Sequence, residues 1–160
     1  MRNTRTLIAA AVLAAAATVG LVAHAASPAT LTMAQAATDY SAWTTASNED
    51  ILAIRDAGLT GAPLSRLQAD ASAWARDTAA LRINLESARW PTPVAALISA
   101  TADQLPGEVD LAEELTKTPT VARFTANALA YRGGVNYGPE IRQLLGLPSA
   151  AAFLSGQIPV

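Results

Sequence analysis

Leu64, Leu67, Ala71, Trp74, Thr78, Leu81, Leu85 and Ala88 recur at alternating steps of three and four residues. A strand would need alternation at every second residue, so this spacing places all eight on one stripe of an α-helix. Pro63 suits a first helical position, where its missing N–H costs nothing. Pro91 stops the run near Arg89, because the residue before a proline is pushed out of helical geometry. The expectation is one long amphipathic helix over 63–89. Its outer face carries Arg66 with Asp70 and Arg82 with Glu86, opposite charges four residues apart.

The same period continues on both sides. Met33, Ala36, Tyr40, Trp43 and Ser47 predict a helix from about Pro28 to Ala46. Ser47 then looks like a new N-cap, with Glu49 and Asp50 at the positive end of a second piece. The first arm is therefore expected as a kinked helix or two helices, with Ala57-Gly58-Leu59 as a Schellman stop. Downstream, Thr92 is expected to cap a helix bearing Val94, Leu97, Thr101 and Leu105 inward, and Pro106-Gly107 to bend or break it. A piece over about 108–117 would turn Val109, Ala112 and Leu115 inward. Thr118-Pro119 would cap the next helix, striped by Val121, Phe124, Ala128 and Tyr131. A short helix over 139–145 would end at Gly146. No useful run of strand-like alternation interrupts these segments. The fold class expected is all-α: an antiparallel bundle of about four main helices, some kinked, with short loops.

The N-terminus has a different character. Arg2 and Arg5 open it, Leu7 to Val22 carries no charge, and Ala23-His24-Ala25 follows. Charged start, apolar middle and small-residue exit are the parts of a secretory signal. The run is shorter and more alanine-rich than a spanning helix of about 20 apolar residues. The expected organisation is a signal peptide over 1–25 and a single helical domain over 26–160 with a short C-terminal tail. That makes the protein secreted or located in the cell envelope. A leader retained as a membrane anchor is the alternative.

Cleavage would remove His24, the only histidine, from a chain without cysteine. Zinc and copper sites, thiol nucleophiles and a serine-histidine-aspartate triad then lack their residue types, and no cofactor is expected. Cleavage also removes two of the 11 basic residues against 13 acidic ones. The mildly acidic remainder, without a basic run, gives no footprint for nucleic acid.

The most unusual stretch is Tyr131 to Glu140. Gly133 and Gly134 allow close backbone approach, and Tyr131, Arg132, Asn136 and Tyr137 offer hydrogen bonds and stacking faces. These four are the candidate partner- or ligand-binding residues, set against an ordinary helix–helix connection. Asp110, Glu113 and Glu114 read as a solvated helix face rather than a cation site. Trp43, Trp74 and Trp90 read as core filling rather than a ligand cavity.

The segment from Ala71 to Ala100, with its Trp90-Pro91 turn, and the later Leu145-Gly146-Leu147-Pro148 resemble small exported helical proteins of actinobacteria. The resemblance implies export and a helical fold, and carries no activity with it. The leading expectation is a protein that acts by binding, possible partners being envelope or extracellular proteins. A carrier of an apolar small molecule in the bundle interior is the alternative, and a carboxylate-dependent hydrolase a third.

Overall fold

The computed structural model describes residues 29–130 and 134–149. The leader, Tyr131, Arg132 and the tail from residue 150 lie outside the described residues. Six helices follow in order: α1 (Met33–Leu59), α2 (Leu64–Ser87), α3 (Thr92–Ala102), α4 (Leu105–Thr116), α5 (Val121–Ala130) and α6 (Gly138–Leu144). The protein is all-α across these residues.

α1 starts at Thr32, which forms a capping box with Gln35. The Gln35 N–H donates to Thr32 Oγ1 at 3.2 Å, and the Thr32 N–H to Gln35 Oε1 at 3.0 Å. The helix then runs unbroken for 27 residues. Of the two arrangements expected, kinked helix or two helices, the second is not formed: no new helix starts at Ser47. Ser47 is buried in mid-helix, and its hydroxyl meets Thr78 Oγ1 of α2 at 2.9 Å. That bond across the helix pair replaces the local bond a capping serine would make. Thr44 and Thr45 are held in the helix by donating to the carbonyls of Tyr40 and Ser41, at 2.8 and 2.7 Å.

The stop after α1 also lies further on than expected. Gly58 is helical, and Gly61 is the left-handed residue, at φ 69°. The Ala62 N–H returns to the Ala57 carbonyl at 2.9 Å, the long bond of a Schellman motif. This turn sends α2 back along α1. At the far end the Leu31 N–H donates to the Arg89 carbonyl at 2.8 Å and closes the hairpin.

α2 follows the sequence stripe closely: Leu67, Ala71, Trp74, Thr78, Leu81 and Leu85 are all buried. Pro63 precedes the helix as its N-cap. Both outer ion pairs form, Arg66–Asp70 at 2.9 Å and Arg82–Glu86 at 2.7 Å. The helix packs against α1 and α4, and also touches α3.

α3 and α4 are one arm with a break at Asp103-Gln104, just upstream of the expected Pro106-Gly107. Pro106 has no N–H for the Ala102 carbonyl, and its ring crowds that carbonyl, so the ladder fails a turn before the proline itself. Pro106 is then accommodated in the first turn of α4. The α5 cap differs too. Thr120, not Thr118, accepts the Arg123 N–H, at 3.2 Å. Thr118 is buried and donates to the Leu115 carbonyl, while its own carbonyl accepts from Gln68 Nε2 at 2.9 Å.

The core has two parts. One joins Ala36 and Tyr40 of α1, Leu81 and Leu85 of α2, Trp90, the inner face of α3, and Ile141 and Leu145 of α6. The other joins Ala57, Leu67, Ala71, Trp74, Ala112, Leu115 and Phe124. Between them, the Ser47–Thr78 pair forms a polar seam on the hairpin.

Candidate functional site

A cleft of about 400 Å³ opens where the middle of α1, the α3–α4 break and the segment leading into α6 meet. Its floor is apolar, from Leu81, Leu105 and the ring of Tyr40. Its walls carry Asn48, Gln104, Glu108, Asn136 and Arg142. The volume lies in the range of small-molecule sites, which combine apolar lining with a few placed polar groups.

The α3–α4 break creates one wall. It turns Gln104, Leu105 and Glu108 toward the chain that enters α6. Gln104 is anchored by its Nε2, which donates to the Ala100 carbonyl at 3.0 Å. The backbone at Gly134 passes so close to this side chain that a Cβ there would collide with it. A larger residue at this position would have to displace the Gln104 side chain from its place in the cleft wall. Asn136 then folds the chain into α6, its Oδ1 accepting the Gly138 N–H at 3.0 Å.

Two of the four residues singled out from the sequence, Asn136 and Tyr137, line this cleft. Tyr131 and Arg132 lie outside the described residues. Two lining residues of greater chemical weight escaped the sequence reading. Arg142 is only 7% exposed. Its Nε donates to the Pro148 carbonyl at 2.6 Å. No carboxylate among the described residues pairs with its charge. Glu108, half-buried and lining the same cleft, has neither an ion pair nor a hydrogen bond among them. Burial alone pushes its carboxyl above the usual glutamate range. The Tyr40 phenol is likewise raised by burial, with the Arg142 charge pulling in the opposite direction.

Glu108 is the only acidic side chain lining the cleft among the described residues. Two-carboxylate hydrolysis needs a pair across a gap, so this cleft does not furnish it. Another carboxyl pair, Asp50 and Asp77, sits between α1 and α2. Asp50 Oδ2 is shielded from solvent without a donor. Burial, and then the nearby Asp77 charge, raise its affinity for a proton. Asp77 is held below the usual range by its hydrogen bond from the exposed Arg76 guanidinium. Neither aspartate lines the cleft.

Of the three acidic side chains Asp110, Glu113 and Glu114 on α4, two make surface contacts. Glu113 lies 3.9 Å from Lys117 Nζ, and Glu114 Oε1 accepts from Asn127 Nδ2 at 2.8 Å. No three acidic or histidine side chains among the described residues gather as a cation site. None of the described helices is long and apolar enough to cross a membrane. Trp74 and Trp90 are buried in the two core clusters. Trp43 is half-buried and meets Trp90 edge-on, ring centres 5.8 Å apart. No family model, curated protein or solved structure matches the chain.

Proposed function

We propose that this chain is an exported binding protein whose cleft, rather than its bundle interior, receives a small organic ligand. The observation that carries this reading is the cleft itself: about 400 Å³, apolar at its floor and polar at its walls. The tryptophans fill core volume, which favours the side cleft over a carrier cavity between the helices. In this reading α1, α2, the bent α3–α4 arm and α5 form an antiparallel bundle that acts as the rigid frame. The leader takes the protein to the cell envelope or beyond, as in the small exported actinobacterial proteins its sequence resembles.

Native mass spectrometry of protein purified from its own host under mild conditions tests the binding. A bound small molecule is expected, lost in Ile51→Trp, which places a bulky ring at the cleft rim. Protein that is empty in every preparation would overturn the reading. The intact mass of the same material reports export: a chain beginning near Ala26 is expected, and an intact leader on membrane-bound protein contradicts secretion.

A further inference from the structure

We infer that the ligand of the cleft is a zwitterion, a small molecule carrying a carboxylate and a protonated amine on an apolar body. The inference rests on the binding role proposed above and assigns each charge a partner: Arg142 for the carboxylate, Glu108 for the amine.

The argument begins with the cost of a buried charge. A guanidinium withdrawn from water loses hydration worth several kcal/mol, and the loss is recovered only by an anion or by several hydrogen bonds. Arg142 is nine-tenths buried and, among the described residues, has a single carbonyl partner. It is fixed from behind by that bond, and a planar fork held in place suits a carboxylate. Glu108 presents the complementary case. It lines the same cleft, is partly desolvated, and has no cation beside it among the described residues. The two do not form an ion pair with each other. A purely anionic ligand would satisfy Arg142 and be repelled by Glu108; a purely cationic one would do the reverse. A molecule with both charges satisfies both walls at once. Leu81 and Leu105 supply the apolar surface for its body. The volume suits a free amino acid with a large apolar side chain or a dipeptide, and both carry this chemistry.

Isothermal titration calorimetry on the full mature chain tests this with defined probes. The probes are leucine, phenylalanine, the dipeptide leucyl-phenylalanine, its N-acetyl derivative and its C-terminal amide. The free dipeptide or one of the amino acids is expected to bind, which identifies the source. Acetylation and amidation are each expected to weaken binding by about tenfold or more, the scale of one charged hydrogen-bonded contact. In Glu108→Gln the penalty for acetylation should vanish while the penalty for amidation persists. In Arg142→Gln the pattern should invert. Because Arg142 is buried, Glu108→Gln gives the deciding comparison if Arg142→Gln fails to fold. Equal binding of blocked and free probes overturns the inference, as does sensitivity to only one of the two blocks. If no probe binds while native mass spectrometry finds the cleft occupied, the zwitterion is wrong and the binding role stands. If no probe binds and the protein is always empty, both fall.

Discussion

The two core clusters are each built around a buried tryptophan, and the two are treated differently. Trp90 donates its indole N–H to the Leu85 carbonyl at 2.8 Å, satisfying one of the carbonyls left open at the end of α2. Tyr40 and Trp43 meet its ring edge-on. Trp74, in the other cluster, has a buried indole N–H with no hydrogen-bond partner among the described residues. The Trp90 end thus satisfies its indole N–H, and its core residues Tyr40, Leu81 and Leu105 also form the cleft floor. At the Trp74 end the indole is held by apolar contact alone, while Gln68 and Thr118 supply polar bonds at the cluster's margin. The difference separates a part of the molecule shaped around polar groups and a cleft from a part that serves to hold the hairpin and α4 together.

The strongest test of this division removes volume from each cluster. Leu67→Ala and Ile98→Ala both truncate side chains that are almost wholly buried, and each should cost about 2–5 kcal/mol in urea unfolding. Equal slopes with denaturant would show the two clusters unfolding as one unit; a second transition in either variant would show two. The next test compares the indoles. Trp90→Phe should be more destabilising than Trp74→Phe by about 1–3 kcal/mol, since only the first leaves a carbonyl without its donor. Equal costs would mean that the Trp74 N–H has a partner in solution.

The smallest effect concerns the carboxyl pair beside the seam. The Asp50 proton is held more tightly in the folded chain than at its ordinary value of 3.8. The folded state therefore binds more protons over that window, and this group's contribution to stability falls as pH rises from the ordinary value through the raised one. Asp77 is shifted the opposite way, so its contribution is lost as pH falls. Asp50→Asn should remove the first trend and leave the second. Unfolding midpoints across pH 3–7 should then fall more steeply on acidification than in the parent. An unchanged profile would show that Asp50 titrates as an exposed aspartate.

These particulars also show what local sequence can reveal. The stripe of α2 and its ion pairs were legible because apolar period and i,i+4 charge pairs are short-range features. The uninterrupted α1 was not, because Ser47 finds its partner 31 residues away. A capping sequence is a local preference that a buried tertiary bond outweighs. The cleft was half legible. Asn136 and Tyr137 stood out beside paired glycines, where close approach is expected. Arg142 and Glu108 carry no local pattern that sets them apart from other charges near helix ends, and their meaning arises only where distant segments meet. A signal was nevertheless present for Glu108. It falls in phase with Leu105, Ala112 and Leu115, an acid on an otherwise apolar inward stripe. Asp50 occupies a comparable place between Ser47 and Ala57 on α1.

The hydroxyl pair of Ser47 and Thr78 also bears on how the hairpin chooses its alignment. The buried face of α1 is built mainly of small side chains, Ala36, Thr44, Ser47 and Ala57 beside Tyr40, which by themselves fix its setting only weakly. Sliding by one turn would part these two hydroxyls and leave each to find another acceptor within a dry interface. The pair acts as a detent, selecting one setting of α1 against α2 from several of similar apolar coverage.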